Sequence, residues 1–234
     1  VILEQLASSH AVLTEDEKEL GVCLIDIGAG TTDIAVFMRG AIRHTVVIPI
    51  AGDQVTNDIA MALRTPTPAA DEIKVKHACV VPQMVDPEQT ISVPGMGDRP
   101  ARTLARQTLA AVVEPRYEEL FSLVQHELER SGYADQLAAG IVLTGGSAKI
   151  DGAVQLAESI FHLPVRIGMP QSLRVGGMDE YLHNPVYATG IGLLMYGKQK
   201  LALTGSNSGT RNARHGEGYG EFFGKMKHWF ASNF

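Results

Sequence analysis

The chain has 234 residues, enough for one large domain or two small ones with a proper core. Its 20 Lys and Arg against 26 Asp and Glu give a net charge of −6, which excludes general nucleic-acid binding through a basic surface. Two cysteines, Cys23 and Cys79, exclude a disulfide scaffold and have no metal-binding spacing; both are expected as small buried or half-buried thiols. No run of 18 apolar residues is present to span a bilayer as a helix, and no signal peptide opens the chain. The first residue is Val1, in mid-pattern, as in a fragment. Charge is unevenly spread. From residue 204 onward Arg211, Arg214, Lys225 and Lys227 face only Glu217 and Glu221, a balance of +2 that leaves −8 on the body.

In chain order, residues 2 to 13 have mixed helical spacing, and the acidic stretch from Thr14 to Glu19 reads as an exposed turn. Gly21 to Ile27 is a continuous apolar run bounded by glycines, the pattern of a buried strand. Strands over Thr32–Met38 and Ile42–Ile50 follow after short turns, giving an antiparallel meander. Val55, Ile59, Ala60 and Leu63 predict a helix over 52–63, with Asp53 as its cap. A short helix is expected over Ala69–His77, then strands near Thr90–Val93 and Ala101–Leu104. A long helical region spans Gln107–Arg130, which Pro115 is expected to kink or divide. Ala139–Thr144 reads as a buried strand, Asp151–Phe161 as a helix, Val165–Ile167 as a strand and Pro185–Tyr196 as a helix rich in small residues. The alternation defines an α/β protein. Residues 53 to 125 look like an insertion with its own small lobe. Thr204 to Gly220 is a Gly/Ser/Asn/Arg-rich linker.

Two glycine turns carry the chemistry. Asp26-Ile-Gly-Ala-Gly-Thr-Thr-Asp33 joins two strands, and Gly28 and Gly30 let backbone N–H groups approach an anion without Cβ interference. Ala29 lies between them, Thr31 and Thr32 add hydroxyls, and Asp26 could face a divalent metal or its water shell. The turn is neither a Walker loop nor a dinucleotide fingerprint, and alone it reads equally as a glycine-rich hairpin. Ile141 to Ser147 is a strand ending in Gly145-Gly146-Ser147, where a flat ligand can pack on the backbone. The histidines form no metal pattern, and Ser147 lacks the context of a hydrolase nucleophile. Arg116 and Glu114, beside Pro115, are expected in surface ion pairs.

In that order, the two turns resemble the second phosphate loop and the adenosine motif of the actin, Hsp70 and sugar-kinase superfamily. Gly52-Asp-Gln-Val-Thr-Asn-Asp-Ile-Ala60 and Ala70-Asp-Glu-Ile-Lys74 resemble bacterial actin-like proteins. There a carboxylate and a lysine three residues later approach the nucleoside, here Asp71 (in place of the usual glutamate) and Lys74; a solvated helix face is the other reading of this pair. Val12–Gly21, Gln107–Leu120 and Ala138–Gly146 are similar to the FtsA family of cell-division proteins.

The resemblance covers essentially the whole chain. It implies an actin-like, ribonuclease H-like lobe (subdomain 2A) over 1–53 and 126–203, with the smaller subdomain 2B inserted over 54–125. It further implies that a preceding half holds the first phosphate loop, so that this polypeptide alone binds ATP poorly and is at most a weak ATPase. ATP and Mg2+ are the implied cofactors, with Asp26 reaching Mg2+ through water. The implied partners are FtsZ, placed on subdomain 2B, further copies of the protein in filaments, other division proteins and anionic lipids of the inner membrane.

The last segment, 221–234, fits such a membrane role on its own residues. Phe222, Phe223, Met226, Trp229, Phe230 and Phe234 gather on one helical face, with Lys225 and Lys227 largely on its flanks or opposite side. Fourteen residues cannot span a bilayer, so the helix is expected to lie in its interface. The expected function is an actin-like scaffold tethering FtsZ to the cytoplasmic face of the inner membrane at the septum. The rivals are a pilus-assembly or cell-shape scaffold, and an ATPase or kinase of the same superfamily.

Overall fold

The computed structural model describes residues 1–171 and 182–205, with side chains up to residue 202. Residues 1–197 form one compact unit, and a second begins at Lys198. The expected linker over 204–220 and helix over 221–234, apart from the last residues of a helix ending at Gly205, lie outside the described residues.

Five strands make the central sheet: β1 (Val22–Ile27), β2 (Thr32–Met38), β3 (Ala41–Ile48), β6 (Ile141–Thr144) and β7 (Val165–Ile167). Their order is β3-β2-β1-β6-β7. The first three form the expected antiparallel meander, while β6 pairs parallel with both β1 and β7. Strands β4 (Thr90–Val93) and β5 (Arg102–Ala105) form a separate antiparallel pair.

Alternation along β1 sorts its side chains onto two faces. Cys23, Ile25 and Ile27 pack with Ile34 and Val36 into a large core. Residues of α3 (Gly52–Leu63), α4 (Thr67–His77), α5 (Arg106–Ser131) and α6 (Ala153–Phe161) complete that core. Val22 and Leu24 point the other way, joining Ala35, Phe37 and Val142. That face is covered by Ala11 and Val12 of α1 (Glu4–Val12) and by Ala188 and Ile191 of α7 (Ala188–Gly205). Buried on both faces, β1 is apolar throughout except at Asp26. Both cysteines are buried and free.

Three local expectations are corrected, and a fourth, at Pro115, is narrowed. The stretch expected as a turn after Thr14 is a helix, α2 (Glu15–Leu20): Thr14 Oγ1 accepts from Glu17 N, and Glu17 Oε2 accepts from Thr14 N. Thr-x-x-Glu closes a reciprocal cap that holds even so short a helix. Asp53 does not cap α3. The cap is Ala51, whose N–H donates to Gln54 Oε1, and Asp53 lies in the first turn. Pro115 does not divide α5, which runs 26 residues as one helix; packing of Leu109, Val113, Tyr117, Phe121 and Val124 in the core offsets the lost hydrogen bond. Pro185–Tyr187 is a 3-10 turn, and the helix expected from Pro185 begins only at Ala188.

Candidate functional site

The site lies at the ends of β1 and β6, where Asp26 stands opposite Thr144 in the parallel pair. Residues Gly28 to Thr31 turn β1 into β2, closed by Gly28 N donating to Thr31 O at 3.0 Å. Ala29, Gly30 and Thr31 are exposed at the tip, and their N–H groups meet no acceptor among the described residues. Thr31 Oγ1 donates to Asp33 at 3.2 Å. Thr32 is fully buried and its hydroxyl donates to Ile50 O, so this hydroxyl braces the turn and is not on offer to a ligand.

One carbonyl ties three segments together. Gly28 O accepts from Gly52 N at 3.2 Å and from Ser147 Oγ at 2.8 Å. Asp53 N donates to Ala29 O at 2.8 Å, so the first N–H groups of α3 are satisfied by the glycine turn. Gly52 is glycine for a steric reason: a Cβ there would sit 2.4 Å from Ser147 Oγ and 3.5 Å from Lys74 Nζ. Gly145 has φ +87°, and its Cβ would strike Ile27 O and Asp26 Oδ1 at 2.4 and 2.5 Å. Gly146 and Ser147 follow in a 3-10 turn, anchored by Tyr117 Oη donating to Ser147 O at 2.7 Å.

Lys74 reaches this cluster from α4. Its ammonium donates to Thr56 Oγ1 and Asp71 Oδ1 at 2.7 Å each and to Gly52 O at 3.2 Å. The side chain is 16% exposed, so Lys74 is not on a solvated helix face, whereas Asp71 is 57% exposed. The Lys74 bond holds the Asp71 carboxyl below its usual range despite partial burial. The sequence-selected residues Gly28, Lys74, Asp71, Gly145, Gly146 and Ser147 are therefore gathered at the ends of β1 and β6, with Asp26 beside Gly145.

Asp26 differs from the rest. It lies on the α1 and α7 face, where Oδ2 accepts from Ser8 Oγ at 2.7 Å and Thr189 Oγ1 at 3.3 Å. Burial pushes its carboxyl up against the pull of those two hydroxyls. Gln5 Nε2 donates to Asp33 Oδ1 at 2.7 Å from the same helix. Sequence reasoning missed Gln5, Ser8, Thr189 and Tyr117; the one local signal was the polar residues that make the spacing of α1 irregular. No group of three ligating side chains among the described residues forms a direct metal cage.

Arg116 does form ion pairs, with Asp58 of α3 through two bonds of 2.7 and 3.0 Å and with Glu119 at 2.5 Å, whereas Glu114, expected in an ion pair too, forms none among the described residues. The membrane-facing candidates Phe222, Phe223, Lys225, Met226, Lys227, Trp229, Phe230 and Phe234 lie outside the described residues.

A mixed sheet with this strand order, helices on both faces and glycine turns at the ends of β1 and β6 defines an actin-like fold. The structure of MreB 5 of Spiroplasma citri bound to AMPPNP matches it with a TM-score of 0.72 at 21% identity, over 87% of this chain and 60% of that one. The family described as "Cell division protein FtsA" matches residues 23–192. The chain is 60% identical to the FtsA of Pseudomonas aeruginosa over 100% of its own length and 56% of that protein's. It is 52% identical to the FtsA of Escherichia coli K12 over 85% of its length and 49% of that one's. The chain belongs to the FtsA family, and it spans about half the length of the curated relatives it matches.

Proposed function

We propose that the cluster at the ends of β1 and β6 is one wall of a nucleotide site in an actin-like cell-division scaffold. The observation that carries this reading is the convergence of the Gly28–Thr31 turn, Lys74 and Gly145–Ser147 around Gly28 O and Gly52. The exposed N–H groups of residues 29–31 are the anion donors, and Gly146, whose missing side chain would make only an ordinary contact with Val186, is where a flat ring could pack. Lys74 and Asp71 lie at its edge toward the nucleoside. A single carboxylate with hydroxyl neighbours fits Mg2+ held through its waters rather than directly, with Asp26 as the residue. Such an ion neutralises phosphate charge when bound.

One wall supplies few of the contacts that a cleft needs, so residues 1–234 alone bind ATP weakly. Calorimetry tests this: submicromolar saturable ATP binding by this polypeptide would overturn it. In the full-length protein, substitution of Lys74 by Ala is expected to lower nucleotide affinity, and no change would remove Lys74 from the site.

The reading extends to a scaffold that forms filaments and tethers FtsZ and other division proteins at the cytoplasmic face of the inner membrane. FtsZ docks on subdomain 2B, about 54–125, and the segment 221–234 lies in the lipid interface. Its support is membership of the FtsA family, the charge difference between body and tail, and the aromatic and basic residues of 221–234. Among the described residues no helix is long and apolar enough to cross a membrane. Sedimentation with anionic vesicles tests the tail: deleting 221–234 should abolish binding, and unchanged binding would sink the anchor. Co-pelleting with FtsZ on those vesicles tests the tether.

A further inference from the structure

The Asp26 carboxylate is held in a divided way. One oxygen, Oδ2, takes hydroxyls from two helices far apart in sequence, Ser8 of α1 and Thr189 in the first turn of α7. Those hydroxyls lie 2.9 Å from each other, so the three groups form a closed triangle. The other oxygen, Oδ1, accepts from no described residue and lies beside Gly145, 2.5 Å from where a Cβ would stand. Ser8 is fully buried.

The triangle sits at the end of the apolar layer formed by Val22, Leu24, Ala11, Ala188 and Ile191, where α1 also donates to Asp33 through Gln5. A carboxylate buried there without a cation carries a desolvation cost that a neutral side chain would not. Two neutral hydroxyls do not neutralise that charge; they fix its direction. The close packing of Gly192 of α7 on Ala7 of α1 keeps both hydroxyls within reach.

We propose that Ser8 and Thr189 are positioning residues for Asp26, holding Oδ2 so that Oδ1, beside Gly145, is turned toward the water shell of a nucleotide-bound divalent cation. This rests on the nucleotide reading above. The hydroxyls themselves touch neither nucleotide nor ion; they remove the rotational freedom that the carboxylate would otherwise lose on binding.

The test measures the affinity of a fluorescent ATP analogue for the full-length protein in EDTA and across a Mg2+ titration. Ser8→Ala and Thr189→Val are each expected to raise the Mg2+ concentration for half-maximal binding about tenfold, the scale of lost orienting partners. Affinity in EDTA should change less than about twofold, because phosphate contacts do not pass through these hydroxyls. Thr189→Ser, which keeps the hydroxyl, should restore the Mg2+ midpoint. The proposal is overturned if the midpoint stays put, or if affinity with and without Mg2+ falls equally, as a purely structural role would give. It is overturned too if Thr189→Ser behaves as Thr189→Val. If the unsubstituted protein binds no nucleotide under either condition, the site reading itself falls and carries this one with it; wild-type Mg2+ dependence with unshifted variants sinks this one alone.

Discussion

Replacing Gly192 by Ala tests how tightly the two helices over Asp26 are packed. Gly192 is buried in α7, and a Cβ there would lie 1.8 Å from the Ala7 carbonyl oxygen and 2.4 Å from its carbon. An ordinary C···O contact is about 3.3 Å, so the helices must part by roughly 1.5 Å. The obstacle is backbone inside an α-helix and cannot swing aside as a side-chain tip would. Overpacking of this kind costs about 1–3 kcal/mol. Separation also stretches the Ser8–Thr189–Asp26 triangle, about 1 kcal/mol more. Against this, Ala is the better helix former by about 1 kcal/mol. The net expectation is a loss of about 2 kcal/mol. In urea unfolding followed by circular dichroism, a slope of about 2 kcal/mol per molar puts the midpoint about 1 M lower. An unchanged or higher midpoint would mean that propensity alone governs the site, and the close crossing of α1 and α7 would be refuted.

Asp26→Asn should raise the melting temperature at pH 7. Burial lifts the Asp26 carboxyl, so its contribution to stability is complete below the unfolded value of about 3.9 and is lost as pH rises through the raised folded value. The gain from Asn should therefore vanish near pH 3, and a lower melting temperature at pH 7 would contradict this sign. Glu17 behaves oppositely: burial pushes it up, but the Arg166 guanidinium and the Thr14 bonds prevail and hold it below its usual range. Its contribution is present above about pH 4.3 and is lost as pH falls through the lowered value, so Glu17→Gln should flatten the acid limb of stability against pH; an unaltered limb would show the pair to be idle. Arg116 and Asp58 are about three-quarters buried and paired through two bonds. A double-mutant cycle with Arg116→Ala and Asp58→Ala should return a coupling of about 1 kcal/mol, and a value near zero would reduce the pair to an ordinary surface contact.

Much of this fold can be read locally. The strands β1, β2 and β6 announce themselves because burial on two faces leaves continuous apolar runs between glycines. The turns at Gly28 and Gly145 are legible from their glycines, and at Gly145 the positive φ and the close approach of Ile27 O leave no place for a side chain. Helix α2 was legible too, in Thr14 and Glu17, but its acidic composition resembles a solvated turn. The misassigned cap of α3 has a different cause: the first N–H groups of that helix are met by carbonyls of Gly28 and Ala29, more than twenty residues upstream. A side-chain cap was not needed, and composition cannot reveal a backbone partner so distant.

The amino-acid sequence by itself determined the strand and helix periods, the two glycine turns and the family pattern, since each depends on neighbouring residues. Tertiary structure alone decided what those residues touch. It turned the Thr32 hydroxyl inward to Ile50, wrapped Lys74 around Gly52 and Thr56, and set Ser8 and Thr189 on one oxygen of Asp26. Alternation in β1 places Asp26 on one face of the sheet, but only the crossing of α1 over α7 supplies its partners. Hydrogen bonds act over about 3 Å of space without regard to the 181 residues of chain between two hydroxyls.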